Sequence, residues 1–473
     1  MLLYGLTKVF HGDEDQVKAG KLLTEKPVVV MSGRGGCGKT FVVSNVLTKA
    51  LEMKKQRALQ EFSDEENEDT VRMSDASDEE AKPCSFSGPD TAASARYVDH
   101  ENISDKHATE QELQKNLATS TGIPDSKGNT ELCSESKSLS RRIEAKMKEI
   151  EGEVLLTAPT GKAASLLGKR TGLPSHTLHS VIYSCVYWEQ EGIGDWKFSN
   201  VRLLVCDECS LISVRVFSKL INSLTKWSEL QQVILLGDIN QLPSIEPGNF
   251  LSDVFTTLEG RGVAVSLRTN HRSDSDLIVQ NAVKISMKQL PVFDPLRKFV
   301  SVPYQSERND NDSETNKVTK VVKNVLQSEE LRDHRSSQFV AFRRSDCKII
   351  NEQCALHYNG HSIEDRQRKF DFRIGDKVCI RRNSECFDAY EEKPVKLCNG
   401  EIFFIADIIE EQDSQRKKKR VFFSLDNGEK IFKINYWELR AAKLTHAWAR
   451  TIHTFQVTML HFSYQSFKNL TMC

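Results

Sequence analysis

Short apolar, β-branched runs that end at polar loops and give way to helical spacing recur through the first half of the chain: Val28 to Met31, Val154 to Leu156, Leu203 to Val205 and Val233 to Leu236. Runs that are apolar at every position, without alternation, mark strands buried on both faces, and amphipathic helices between them join such strands in parallel. The pattern predicts a doubly wound α/β domain whose ligands lie at the carboxyl ends of its strands. From Met53 to about Leu139 it lapses into Ser, Asp, Glu, Thr and Lys with few aliphatics. Such a stretch buries too little apolar surface to offset its ordering entropy, so it reads as a disordered acidic, Ser-rich insertion in a surface loop. Helical spacing returns at Ile143, Met147 and Ile150, ahead of the next strand.

Beyond Val265 the sequence predicts a helix from Ser275 to Met287, a polar irregular stretch from Ser306 to Lys317, a further helix, and a strand at Gln338 to Phe342. These elements suit a second, smaller α/β domain. From Phe372 to Leu439, short alternating runs separated by Asn399-Gly400 and Asp426-Asn427-Gly428 predict a small antiparallel barrel. The expected domains are therefore 1–52 with 138–266, an insertion at 53–137, a second α/β domain at 267–371 with 440–473, and a β subdomain at 372–439.

Composition narrows this only slightly. The 473 residues, 39% hydrophobic and 28% charged, are enough for two or three domains with their own cores. No run approaches the ~18 apolar residues of a membrane span, so no membrane association is expected. The first residues, Met1 to Leu6, lack a basic flank and a small-residue cleavage site, which points to a chain that stays inside the cell. Twelve cysteines are scattered singly, as reduced core thiols would be. The one Cys-x-x-Cys, Cys206 to Cys209, has no second ligand pair nearby. The net charge of −1 hides an asymmetry: residues 61 to 80 hold ten acidic residues against one Arg, leaving the remainder basic and suited to a polyanion.

Candidate chemistry concentrates after the predicted strands. Gly33-Arg34-Gly35-Gly36-Cys37-Gly38-Lys39-Thr40 follows the first and opens a helix. Its glycines let backbone N–H groups wrap phosphates, Lys39 reaches the β and γ phosphates, and Thr40 holds Mg2+. Leu203-Leu204-Val205-Cys206-Asp207-Glu208 is a strand ending in two carboxylates: Asp207 completes the magnesium site and Glu208 accepts the proton of an attacking water. Together they predict a site that hydrolyses a nucleoside triphosphate, without saying whether a kinase, a transporter or a motor uses it, and they also account for the residues inside the Cys pair. Gln241, in Gly237-Asp238-Ile239-Asn240-Gln241-Leu242-Pro243, stands where a side-chain amide meets the γ phosphate or the attacking water.

With these residues and Leu156-Thr157-Ala158-Pro159-Thr160-Gly161-Lys162-Ala163-Ala164, the chain resembles the RecD-like superfamily 1 DNA helicases. The resemblance implies two RecA-like P-loop domains, an inserted SH3-like β-barrel and an ATP-driven, 5′ to 3′ DNA motor. It assigns Thr160 and Lys162 to single-stranded DNA phosphates, places His179 on the continuing DNA-facing surface, and makes Gln16 the adenine reader. Leu267-Arg268-Thr269-Asn270-His271-Arg272 is similar to the family's motif IV, with Arg272 as arginine finger. Phe372 to Val378 and Asn399-Gly400-Glu401 are similar to the first strands of the SH3-like subdomain. Thr451-Ile452-His453-Thr454-Phe455-Gln456 is similar to the start of motif V, with His453 facing DNA.

The likeness fails after Gln456. There the family continues with Gly-Ser-x-Glu and later an arginine-bearing motif VI, whereas this chain reads Val457-Thr458-Met459-Leu460-His461-Phe462 and runs on to Cys473. We therefore expect an incomplete second domain without its final strand. Loss of such an arginine costs ~10³ to 10⁵ in rate, so this form is expected to bind ATP but hydrolyse it poorly. The alternatives are an inactive DNA- or protein-binding form and an RNA-directed superfamily 1 helicase.

Three further segments invite specific readings. Tyr187 to Phe198 reads as an aromatic hairpin around glycines, either a duplex-splitting pin or a hairpin whose tryptophans pack on the domain. The acidic run Glu61-Phe62-Ser63-Asp64-Glu65-Glu66-Asn67-Glu68-Asp69 is either a solvated charge run or a docking peptide, which the resemblance would assign to replication protein A. Arg416 to Arg420 reads as a nuclear address, a hairpin tip or a DNA contact. A role in DNA replication or repair in the nucleus follows from the resemblance.

Overall fold

The computed structural model describes residues 9–10, 12–75, 131–271, 276–296, 299–301, 314–364, 370–412, 419–459 and 469–472. The chain divides into two compact units, Met1–Leu51 with Glu151–Cys473, and Glu52–Ile150.

The first unit opens with a six-stranded sheet. Its strands are β1 (Val28–Gly33), β2 (Val154–Ala158), β3 (Ser175–Thr177), β4 (Leu203–Cys206), β5 (Gln232–Gly237) and β6 (Ala264–Leu267), in the order β3-β2-β4-β5-β1-β6. Every pairing is parallel. The reason lies in the strand sequences: successive residues point to opposite faces, and both faces are covered. Val29 and Met31 join the core that contains Leu22, Val43 and Leu167, while Val30 joins the one with Val181, Trp196 and Leu220. The four long apolar runs of the sequence are β1, β2, β4 and β5.

The second α/β region contributes a three-stranded parallel sheet, β15-β7-β16, of β7 (Ser337–Ala341), β15 (Ala449–Thr451) and β16 (Asn469–Met472). The expectation that this sheet lacks a final strand is corrected by β16, which pairs with β7 from Asn469↔Ser337 to Met472↔Val340. A strand edge accepts any extended backbone, so the family's own sequence is not required to cover it.

Between them lies a seven-stranded antiparallel sheet built from β8 (Lys377–Ile380), β9 (Ser384–Asp388), β10 (Lys393–Leu397), β11 (Ile402–Gln412), β12 (Lys419–Asp426), β13 (Ile431–Asn435) and β14 (Leu444–His446). Its order, β10-β9-β13-β12-β11-β8-β14, has no pairing between the two end strands among the described residues. It is a half-barrel, the small antiparallel subdomain the sequence predicts, and β14 extends it beyond the predicted limit at 439. Of the basic run, Lys419 and Arg420 begin β12; residues 413–418 lie outside the described residues.

Two segments depart from expectation. The helix that follows the glycine loop runs from Lys39 through Asp75, so residues 53–75 are helical, not disordered, and a second helix spans Glu131–Gly152. Leu51-Glu52-Met53-Lys54-Lys55-Gln56-Arg57-Ala58-Leu59-Gln60 consists of strong helix formers, which outweighs the shortage of aliphatics. Within that unit Arg142 lies over the Phe62 ring at 5.4 Å. Residues 76–130 lie outside the described residues. The aromatic hairpin is absent: a helix occupies Leu178–Glu191 and ends at Gly192, whose φ of 64° forms a left-handed cap. Trp196 is 2% exposed and its Nε1 donates to Ser184 Oγ at 3.1 Å, so it is a core side chain and not a pin.

The fold rests on strands such as β4, where Leu204 is fully buried. Leu204→Ala should lower unfolding free energy by about 2–5 kcal/mol, read as an earlier urea midpoint with unchanged slope.

Candidate nucleotide site and the surface beside it

β1, β4 and β5 deliver their carboxyl ends to one side of the sheet. The loop Gly33 to Gly38 leaves β1 and turns into the helix beginning at Lys39. Gly38 takes φ +83°, and a Cβ there would lie 2.7 Å from Gln16 Nε2. Only glycine meets both conditions. Gln16 reaches this point because Asp13 caps the helix Glu14–Glu25, accepting from Gln16 N at 3.1 Å. The Gln16 side chain is 3% exposed and donates to Cys37 O at 3.3 Å, bracing the loop.

Lys39 Nζ donates to Gly33 O at 2.5 Å and to Arg34 O at 3.2 Å, folding its ammonium back over the loop. Burial pushes the adjacent Cys37 thiol up, against the pull of Lys39. Gly35 and Gly36 complete the turn, and His271 N donates to Gly36 O at 3.0 Å. His271 Nε2 also lies 2.7 Å from Asp13 Oδ2. Burial would raise the Asp13 carboxyl, but the His271 contact and backbone N–H donors outweigh it and hold the pKa below the usual value. The end of β6 is thus tied to the loop; Arg272, the next residue but one after Asn270, lies outside the described residues.

Asp207 and Glu208 follow β4 directly. Thr40 Oγ1 donates to Asp207 Oδ2 at 3.1 Å, while Asp207 Oδ1 accepts from Glu208 N at 2.8 Å. Glu208 takes the left-handed conformation, φ 55° and ψ 42°, uncommon for a side chain of its size. Burial, then the neighbouring Asp207, raises its pKa to about 7 against the opposing pull of Lys39; Asp238 adds to the rise and Arg170 opposes it. Asp238, 5% exposed, directly follows β5, and Gln241 closes the turn with its N donating to Asp238 O at 3.1 Å. The structure therefore brings Gln16, the glycine loop, Thr40, Asp207 and Glu208 together, with Gln241 on the adjoining turn. Hydroxyl and carboxylate oxygens at this spacing fit a hard divalent cation such as Mg2+, which keeps water and phosphate ligands and needs few protein groups. Among the described residues no cluster of three or more His, Cys, Asp or Glu suits another metal.

The DNA-facing candidates are placed differently. Thr160 caps the helix Gly161–Thr171, accepting from Ala163 N at 3.2 Å. Lys162 is 5% exposed and its Nζ lies 3.2 Å from Glu401 Oε1 in the half-barrel. Burial lowers its pKa and Glu401 partly restores it. His453, half-buried, stands on the helix Ile452–Met459, which packs against Gly161–Thr171. His179 is exposed in the first turn of Leu178–Glu191. Tyr183, for which the sequence suggests no role, and Tyr187, expected in an aromatic hairpin, are 68% and 64% exposed on the same helix, and their spacing from His179, four and eight residues, marks one face. The sequence also gives no sign of Glu401 as a charge: only its glycine turn stands out. Of the acidic run, Glu61 and Asp64 are exposed on the helix Lys39–Asp75; the side chains of Glu65, Glu68 and Asp69 lie outside the described residues.

An AAA domain family model matches residues 136–298. DNA helicase B of Mus musculus is 35% identical over 495 residues, covering 94% of this chain and 40% of that protein. The ATP-dependent DNA helicase dda of Enterobacteria phage T4 is 30% identical over 113 residues, 22% of this chain and 25% of its own. The RecBCD enzyme subunit RecD of Mycolicibacterium smegmatis is 31% identical over 142 residues, 25% of this chain and 24% of its own. The chain thus spans 40% of the length of the relative it matches most extensively among these. In its motif order and in these likenesses the chain is similar to DNA helicase B and to the RecD subunits.

Proposed function

We propose that the chain is the motor segment of an ATP-dependent DNA helicase, coupling ATP hydrolysis to movement on single-stranded DNA. The observation that carries this reading is the Thr40 to Asp207 contact of 3.1 Å with Glu208 beside it, set against the glycine loop. Thr40 and Asp207 would hold Mg2+, which when bound supplies charge neutralisation between the β and γ phosphates. Lys39 exchanges its two carbonyl contacts for phosphate oxygens. Glu208 accepts a proton from the attacking water, and a pKa near neutrality suits a base that works near pH 7. In this reading Gln241 orients that water, Arg272 supplies the second positive charge, and Gln16 passes from the loop carbonyl to adenine.

Thr160, Lys162, His179 and His453 form the path for single-stranded DNA, followed 5′ to 3′ as in the family resemblance. The acidic run that includes Glu61, Asp64, Glu65, Glu68 and Asp69, together with Phe62, is the proposed contact for replication protein A. The setting proposed is DNA replication or the replication-stress response in the nucleus. Supporting the DNA reading, two of the relatives, that of Mus musculus and that of phage T4, are DNA helicases.

Steady-state ATP turnover with and without oligo(dT) tests the motor. Single-stranded DNA should stimulate turnover, and Lys39→Ala should reduce it by about 10² to 10³-fold, the scale of losing one preorganised charge contact. Turnover indifferent to both would sink the proposal.

Glu208 gives a second, separate test. Its folded pKa, about 7, stands above the ordinary 4.5, so its burial carries no charge penalty in acid and costs stability as pH rises through 7. Glu208→Gln should therefore abolish turnover yet raise the nucleotide-free melting temperature at pH 8, by a gain on the order of 3 kcal/mol, with no gain at pH 4. Equal melting shifts at both pH values would refute the assigned base.

A further inference from the structure

Lys162 belongs to the turn assigned to DNA phosphates, yet its ammonium faces protein. Nζ lies 3.2 Å from Glu401 Oε1, with side chains 6% and 22% exposed. The other carboxylate oxygen is held by Cys398 N at 2.8 Å, which fixes the acid at the tip of its turn. Asn399 N donates to Asn383 Oδ1 at 2.7 Å, and a Cβ on Gly161 would stand 2.8 Å from that same oxygen. Because residue 161 is glycine, the half-barrel turn seats directly on the first turn of the helix Gly161–Thr171.

From the other side, Arg450 at the centre of β15 grips the same turn. Its Nη1 donates to Gly400 O at 3.4 Å and its Nη2 to Thr454 O at 2.7 Å, and the side chain is buried. Gly400 and Glu401 thus lie between Arg450 of the second α/β domain and Lys162 of the first.

We propose that Glu401 is a carboxylate stand-in for a DNA phosphate: it occupies Lys162 until the half-barrel turn lifts from the first domain, and so decides when single-stranded DNA is admitted. The inference rests on the DNA-motor reading. A carboxylate and a phosphate offer the same kind of oxygen acceptor to an ammonium, and two anions repel when both approach one cation. A buried ammonium also cannot give up its partner unless another anion replaces it. Exchange of Glu401 for phosphate satisfies both conditions, and the grip of Arg450 on Gly400 ties that exchange to movement of the second domain.

Anisotropy of labelled oligo(dT) titrated with the 473-residue chain tests the exchange. Glu401→Gln should tighten binding about three- to tenfold, as expected on removing one competing anion from the phosphate path. Lys162→Ala should weaken binding, and in the double variant Glu401→Gln should add nothing. Unchanged or weaker binding by Glu401→Gln, with a wild-type melting curve, overturns the proposal. If that variant melts early, Glu401→Asp keeps the charge but shortens its reach; it should also tighten binding, and unchanged affinity there overturns the proposal equally. Absence of DNA binding by the wild-type chain would instead overturn the motor reading itself, and the inference with it.

Discussion

The hydroxyl of Thr40 and the carboxylate of Asp207 meet across 167 positions of sequence, and most of the first domain exists to make that meeting possible. It requires β1 and β4 to run parallel with β5 between them, so that both strands end on one side. Parallel strands need helical crossovers, crossovers cover both faces, and covered faces demand strands apolar at every position. The continuous runs at Val28 to Met31 and Leu203 to Cys206 are the sequence cost of bringing one hydroxyl to one carboxylate. Glu208 then gains its properties from position alone. It follows a buried strand, lies beside another acid and takes a left-handed backbone, and its raised pKa follows from that company.

Much of this was legible in the sequence because the site is local in its motifs. The glycine loop announces its own geometry, and an apolar strand ending in two acids announces its place at the carboxyl edge. Gln16 is the exception in that group. Nothing in its neighbours marks it, and only the packing of the helix Glu14–Glu25 beside Gly38 gives it a role. The aromatic segment near Trp196 misled for the opposite reason: alternation with glycines resembles a hairpin, but the glycines serve as left-handed turns after a helix and the tryptophan fills the core. Burial depends on what the rest of the chain brings to that point, which a window of twelve residues does not contain. The helix through Asp75 is marked in the sequence by helix propensity and not by hydrophobic content, so a reading by burial alone does not find it.

Glu401 was illegible for a different physical reason. A carboxylate at a hairpin tip is ordinary surface chemistry, and its meaning comes wholly from the lysine it faces 239 residues away. Lys162 carries a matching ambiguity: its motif marks an anion contact but does not say which anion. Long-range ion pairs leave no trace in periodicity, since neither partner needs a particular neighbour in sequence.

The joints of the half-barrel also differ in kind, and the difference determines which side yields. Toward the second α/β domain it is fastened by buried polar groups. Asp376, fully buried, accepts from His361 Nε2 at 2.7 Å across this joint, and within the half-barrel it faces His446 Nε2 of β14 at 3.0 Å. Burial favours its neutral form, but those histidines and the Arg373 N–H prevail and keep it an anion. Beside it Lys377 Nζ donates to Ser337 O at 2.6 Å, its pKa drawn by burial to about 7. Separating such groups would expose uncompensated polar atoms in a dry interior, a cost of several kcal/mol by the usual ~1–3 kcal/mol for each group. Toward the first domain the seat of the turn holds the Lys162–Glu401 ion pair and a close approach over Gly161. That ammonium is buried, so the pair parts only where another anion takes the place of Glu401. On the proposal that Glu401 stands in for a phosphate, the two joints differ in one respect: a phosphate oxygen can replace Glu401 on Lys162, whereas nothing a DNA strand carries replaces the partners of Asp376 and Lys377, so the side toward the first domain is the one that would yield.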